Sequence, residues 1–232
     1  MEIWLATGLA AALLLSGSLL HHCAVRRRHA RLDRRDNHAL QLALELLQNL
    51  QKHRGLGSQN DEPTRRQRAT IAQLLDDLWR RWPASELRLP EIDSSWPTLR
   101  AAAGDFNGHC RLIEQLLEVV HLLELRLGER NAQITAGLGE ACRGLEDLAR
   151  LRGLAVRAAN HERCPLELQI QMRYLCQRLA TGSCENPVRE VLGRLDRELI
   201  GAAKVRLGPG ECFALLTPII DERLHGLRLS LA

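Results

Sequence analysis

Residues 38–59 read HALQLALELLQNLQKHRGLGSQ, and this stretch decides the fold class. Apolar side chains recur along it every three or four residues, which is the repeat of one face of an α-helix. The stripe consists of Leu40, Ala43, Leu44, Leu47 and Leu50. Asp36 or Asn37 is placed to cap the start of such a helix. We therefore expect an amphipathic helix that packs one face against a core.

The same period continues along the rest of the chain, so we expect an all-α helical bundle of about seven helices with short connections. Thr64 is placed to cap the second helix, and three prolines are placed in the first turns of later ones. Residues 83–97 contain three prolines and form the longest expected loop. The expected helices after the first cover residues 64–82, 98–128, 131–160, 165–180, 187–205 and 209–228.

The composition excludes several classes of protein. Aromatic residues make up 3% of the 232 residues, which argues against β-sandwiches and against base-stacking surfaces for nucleic acid. Six arginines and three acidic residues lie within residues 1–36, and the rest of the chain is nearly neutral. A near-neutral body does not attract DNA or RNA, so we expect no nucleic-acid partner.

The N-terminal segment is apolar. Residues Ile3–Leu20 carry no charge, and Arg26–Arg28 follow them. With its extension to Val25 the segment is long enough to cross a bilayer, and arginines mark the cytoplasmic side. This predicts a transmembrane anchor over 1–25, a basic juxtamembrane segment over 26–36 and a body over 37–232. The expected location is the inner membrane, single-pass, with a cytoplasmic body; an amphipathic or cleaved segment is the alternative.

The seven cysteines are odd in number, scattered and without a CxxC pair. This usage is typical of a reducing compartment and predicts neither disulfides nor a zinc site. We expect Cys164, Cys176 and Cys184 to act as small buried apolar residues. His21-His22-Cys23 is a weak candidate for a metal, and we expect no metal and no cofactor.

The tripeptide Arg-Gly-Leu occurs twice, at Arg54-Gly55-Leu56 and Arg152-Gly153-Leu154, 98 residues apart. At this offset Leu47 aligns with Leu145, Leu50 with Leu148, and Lys52 with Arg150. A glycine inside a helix costs about 1 kcal/mol relative to alanine, so a close approach of a second helix or ligand is one reason for it. Two arginines facing one pocket would suit a small oxyanion. Coincidence, or an Arg–Glu salt bridge across helices, are the alternatives.

Three stretches resemble the nitrate- and nitrite-sensing domain family of bacteria. They are LLQNLQKHRGLGS at Leu46–Ser58, GLEDLARLRGLAVRA at Gly144–Ala158, and ECFALLTPIIDERLHGL at Glu211–Leu227. The resemblance spans about residues 37–229. It implies two packed four-helix bundles that bind nitrate or nitrite through arginines between them.

The resemblance also implies which residues bind. Arg54 and Arg152 match the anion-contacting arginines, with Gly55 and Gly153 beside them. His53 holds the place of a polar residue that precedes the first arginine, and it would make binding depend on pH near neutrality. Thr217 matches a threonine of the family's closing helix, and its hydroxyl could donate a hydrogen bond. The resemblance does not identify any further anion-binding arginine. Arg157 and Arg173 are weak candidates.

We therefore expect a membrane-anchored, non-enzymatic sensor that signals through an unidentified partner protein and could form a homodimer. The alternative is a helical scaffold or adaptor at the membrane with no ligand. An enzyme is disfavoured because no nucleophile elbow, phosphate loop, metal spacing or paired acid cluster is present. The following carboxylates fit solvated helix faces or ion pairs better: Glu45, Asp76, Asp77, Glu114 and Glu118.

Overall fold

The structure is a computed structural model that describes residues 2–83, 90–130, 137–181 and 186–229, with side chains described from residue 16 and, after the first gap, from residue 95. These residues form eight α-helices, one π-helical segment and no strand, which confirms the predicted all-α class. The helices are α1 Glu2–Leu56, α2 Glu62–Arg81, α3 Pro90–Ala101, α4 Phe106–Arg130, α5 Leu138–Ala158, α6 Leu166–Thr181, α7 Asn186–Leu195 and α8 Pro209–Leu229, with the π-helical segment at Asp196–Ile200.

Helix α1 is longer than predicted. It runs without a break through residues 25–37, where the anchor, the basic segment and the body were expected to meet. The predicted cap at Asp36 or Asn37 is wrong because Asp36 lies inside the helix and pairs with Arg130 of α4. The predicted apolar stripe from Leu40 to Leu50 is buried, and it packs on the neighbouring helices.

The predicted membrane anchor is overturned. Within the part of the chain that the structure describes, no helix has an apolar run long enough to cross a membrane. Ser16–Val25 are about 15 Å of helix, half of a hydrocarbon core, and include two histidines. The side chains of residues 3–15 lie outside those described. The prediction of an anchor at Ile3–Val25, and of the single-pass inner-membrane location that depended on it, is therefore wrong.

Two predicted boundaries shift because of local capping and packing. Asp61, not Thr64, caps α2, because its carboxylate accepts the Thr64 N–H at 3.0 Å. The loop predicted over 83–97 is helical from Pro90, since proline is tolerated in a first turn. Trp96, on this helix, is buried. Residues 84–89 lie outside the described chain.

Two predicted helices are interrupted. The helix expected over 98–128 is divided into α3 and α4 by a turn at residues 102–105. The helix expected over 187–205 ends in the π-helical segment, and Gly201 closes it by donating its N–H to the Asp196 carbonyl. The helix expected over 131–160 is observed as α5, and residues 131–136 are outside the described chain.

The packing has an internal repeat. Helix α1 packs against α2 and α4, and α5 packs in the same way against α6 and α8. Helix α3 lies on α4, as α7 lies on α8. The central helices α1 and α5 also pack directly against each other. Each carries one of the two Arg-Gly-Leu tripeptides, so the fold brings these two sequences to one interface.

Candidate functional site

Arg54 lies in the last turn of α1 and its side chain has no exposed surface. Its guanidinium binds both oxygens of Glu146 on α5, with Nη1–Oε1 at 2.5 Å and Nη2–Oε2 at 3.0 Å. Nη1 also donates to Cys110 Sγ at 3.2 Å, and the group lies 5.2 Å from the Phe106 ring centroid. Burial opposes the charge, but Glu146 and Cys110 outweigh it and raise the pKa of Arg54. Arg54 is thus compensated within the protein.

Arg152, in the middle of α5, is buried without such compensation. Nη1 donates to Thr217 Oγ1 and Nη2 to the Gln51 carbonyl, both at 3.0 Å, and the group lies 4.5 Å from the Phe213 ring centroid. Its Nε has no hydrogen-bond partner. No carboxylate among the described residues lies within 4.0 Å of it. Burial, and then the charge of Arg54, lower the pKa of Arg152 to about 10, although the charges of Asp221 and Glu146 offset part of this effect. Arg152 therefore remains charged at neutral pH.

The glycines after the arginines allow the two helices to approach. A Cβ at Gly55 would lie 3.1 Å from Phe213 and 3.4 Å from Arg152 Nε. A Cβ at Gly153 would lie 2.7 Å from Phe106, closer than real Cβ contacts. Each glycine therefore makes room for the aromatic ring that covers the other arginine.

The two clusters have a matching pattern of contacts. Arg54 contacts Phe106 and, four residues later, Cys110; Arg152 contacts Phe213 and, four residues later, Thr217. The sequence analysis found the 98-residue offset between the arginines. It missed the second offset, of 107 residues, between the aromatic helices α4 and α8.

Two further ion pairs, one beside each arginine, correspond to each other by the same sequence offsets. Lys52 Nζ of α1 lies 3.1 Å from Asp221 of α8, and Arg150 of α5 lies 3.6 Å from Glu114 of α4. Both basic residues precede an arginine of the site by two positions. Glu114, taken from the sequence as part of an ion pair or a solvated face, makes this ion pair.

One position breaks this matching pattern. Glu146 precedes Arg152 by six residues, and the equivalent residue before Arg54 is Gln48. Glu146 lies beside Arg54 and also accepts from Gln51 Nε2 at 3.0 Å. Gln48 instead donates to Asp221 at 3.1 Å and accepts from Arg228 at 3.0 Å. As a result, one arginine has a carboxylate and the other has none.

His53 is buried beside the site but stays neutral. His109 Nδ1 donates to the Asp105 carbonyl at 2.6 Å, so His109 Nε2 accepts from His53 Nδ1 at 2.8 Å. Burial, then the charges of His109 and Arg68, lower the pKa of His53 to about 3. Burial also lowers the pKa of His109. His53 therefore stays neutral near pH 7, and the expected pH dependence of binding has no support from this geometry and stays a prediction.

Of the remaining predicted residues, some lie in the site and others do not. Thr217 is in it, where its hydroxyl accepts from Arg152 and donates to the Phe213 carbonyl at 2.6 Å. Arg157 lies 5.0 Å from the centroid of the Phe106 ring, the ring that Arg54 also contacts. Arg173 is exposed on α6 and lies near the π-helical segment instead.

The described cysteines are all free thiols; Cys164 is buried, Cys176 is half-buried and Cys23 is exposed. Cys184 is outside the described chain. Across the described ranges no group of three or more His, Cys, Asp or Glu side chains is arranged to hold a metal ion.

The sequence did not assign five residues that contact the arginines or Glu146: Gln51, Phe106, Cys110, Glu146 and Phe213. Glu146 was inside a quoted motif, but nothing in a single sequence identifies its partner 92 residues away. Gln51 could have been found, since it lies three residues before Arg54 on the same helix face.

Comparisons of the chain with protein-family models, with curated protein sequences and with solved structures gave no match. The resemblance to the nitrate- and nitrite-sensing family therefore stays a prediction that rests on the three quoted stretches.

Proposed function

We propose that the chain is a non-enzymatic sensor that binds nitrate or nitrite between α1 and α5 and signals through a partner protein. Arg54 and Arg152 are the anion-binding residues, and Thr217 and Gln51 orient them. The proposal extends the family resemblance with the geometry of the two clusters.

The observation that carries the proposal is the buried charge of Arg152, which has no direct ion pair among the described residues. A buried charge without a counter-ion costs several kcal/mol, so buried arginines are normally paired. Here the described residues supply only a hydroxyl and a backbone carbonyl. An anion bound at Arg152 would supply the missing counter-charge.

The charge of the site fits a monovalent ligand. Two guanidinium groups and the Glu146 carboxylate leave a net charge of +1, and both histidines are neutral. A planar oxyanion matches the planar donors of a guanidinium. One nitrate or nitrite ion would neutralise the site.

The internal repeat supports the finer fold assignment. We propose that α1–α4 and α5–α8 form two four-helix bundles, and that the α1–α5 contact lies between them. An anion held by arginines of both helices would change how the bundles pack, which is a change that a partner protein can detect.

A ligand-free scaffold is the second candidate, and the Arg54–Glu146 ion pair favours it. This pair joins α1 to α5 without any ligand. On this hypothesis the arginines hold the two halves together and the uncompensated charge of Arg152 has no function.

The test is thermal unfolding of the full chain in nitrate, nitrite, chloride and formate at equal ionic strength. A ligand at about 100 times its dissociation constant stabilises the folded state by roughly 2.7 kcal/mol, which is about 5–10 °C for a chain of this length. We expect this shift with nitrate or nitrite only.

Arg178→Gln provides a matched control, because Arg178 pairs with Asp147 on the face of α5 that meets α6. This variant should keep the shift, and Arg152→Gln should lose it. Equal shifts in all four salts, or none in any, would favour the scaffold.

A further inference from the structure

Arg54 and Arg152 share three features of their surroundings. Both have an aromatic ring, a thiol or hydroxyl one turn later on the facing helix, and a glycine next in sequence. Glu146 faces Arg54, and its counterpart Gln48 does not face Arg152. The difference is one carboxylate in a buried site.

The Glu146 carboxylate presents two oxygens in one plane to the edge of the Arg54 guanidinium. Nitrate and nitrite present their oxygens to a guanidinium in the same manner. The side-chain Nε2 of Gln51 donates a hydrogen bond to Glu146 and holds it in this position. The backbone carbonyl of Gln51 accepts a hydrogen bond from Arg152. Glu146 therefore occupies the edge of the Arg54 guanidinium at which an anion would bind.

From this geometry we infer that Glu146 is a built-in competitor of the ligand, which weakens anion binding and limits the site to one negative charge. The inference rests on the proposed function. An anion that bridges the arginines must take Arg54 from Glu146 or share it, and Glu146 repels it at close range. Glu146 thus sets the ligand concentration to which the site responds.

The matching pattern of contacts supplies a reciprocal change. Gln48→Glu would place a carboxylate at the position related to Glu146 by the 98-residue offset, where Gln48 contacts Asp221 and Arg228. That variant adds a negative charge near the site and lowers its excess positive charge. It should bind a monovalent anion more weakly than the wild type.

The experiment titrates nitrate into the full chain at constant ionic strength and measures thermal unfolding at each concentration. Four proteins are compared. These are the wild type, Glu146→Gln, Gln48→Glu and Asp147→Asn. Asp147 is the matched control, because it is the next carboxylate on α5 and pairs with Arg178 instead. A charged hydrogen bond is worth about 1.5–3 kcal/mol, so Glu146→Gln should lower the dissociation constant about 10- to 100-fold.

Binding by Glu146→Gln at lower nitrate than wild type, with Asp147→Asn unchanged and weaker binding by Gln48→Glu, supports the inference. A wild type that binds and a Glu146→Gln variant that binds no tighter overturns it and leaves the proposed function standing. Absence of binding in both proteins overturns both. If Glu146→Gln does not fold, Gln48→Glu decides, since wild-type affinity in that variant contradicts a charge limit.

Discussion

The two buried arginines differ in what compensates their charge. Removing Arg54 leaves Glu146 buried with only Gln51 as a partner. Removing Arg152 leaves no such group, because Thr217 still donates to the Phe213 carbonyl. The same substitution should therefore have opposite effects at the two related positions.

Arg54→Met should destabilise the ligand-free protein by about 3–5 kcal/mol, the cost of breaking a buried ion pair from one side. Arg152→Met should leave its stability unchanged or raise it by about 1–3 kcal/mol, since an uncompensated charge is removed. Chemical denaturation without nitrate measures both. A loss of more than about 2 kcal/mol in Arg152→Met would show that the Arg152 charge is structural.

His53 should make the stability, rather than the binding, depend on pH. Its pKa is about 3 in the folded protein and 6.5 in the unfolded chain, so the unfolded chain binds more protons between these values. Its contribution is complete above about pH 6.5 and is lost as the pH falls toward 3. At pH 5 the loss from this residue is about 2 kcal/mol.

His53→Asn keeps a hydrogen-bond donor toward His109 but cannot gain a proton. Unfolding free energies from pH 8 to pH 5 should therefore fall less steeply in this variant than in the wild type. Equal slopes would mean that folding does not change the pKa of His53.

At the scale of the helix, two of the three glycines of α5, Gly144 and Gly153, lie in different surroundings. A Cβ at Gly153 would meet Phe106, whose ring is held between Arg54 and Arg157 and cannot move freely. A Cβ at Gly144 would meet nothing within 4 Å.

Gly144→Ala should stabilise the protein by up to about 1 kcal/mol, through helix propensity alone. Gly153→Ala should destabilise it by about 1–2 kcal/mol, because overpacking exceeds that gain. Denaturant midpoints of the two variants measure the difference. Stabilisation by both substitutions would mean that α1 and α5 do not approach closely at Gly153.

Helices with a repeating apolar face were predicted from the sequence. Their first and last residues were predicted less well. The stripe from Leu40 to Leu50 needs only the helical period, and Pro209 starts α8 as expected. The start of α1 was misplaced because Asp36, a good cap, pairs with a distant arginine instead. The two arginines were found through a local repeat, whereas their different partners depend on tertiary contacts that no local pattern contains.

At the scale of the whole molecule, α1 has two parts. Ser16–Arg31 are exposed, and burial begins at Asp36, where Asp33 and Asp36 bind Arg130 at the end of α4. The bundle therefore does not depend on the exposed part for its core.

Deletion of residues 2–30 should change the melting temperature by no more than about 2 °C and should leave any nitrate shift intact. Deletion of residues 2–36 should lower it by several degrees, because Arg130 loses both carboxylates. Calorimetry of the two truncated chains tests this. A large loss in the shorter deletion would mean that the exposed part of α1 supports the bundle.

Arg54 lies in the last turn of the same uninterrupted helix whose other half extends from the bundle. From Glu2 to Arg35 this extension measures about 50 Å. A rigid rod of that length acts as a lever, and a tilt of about 5° where it leaves the bundle would carry its tip through about 4 Å. Displacement of one carboxylate at the site could thus move the N-terminal tip of α1 by about 4 Å. This distance is close to the spacing between neighbouring strands in a sheet.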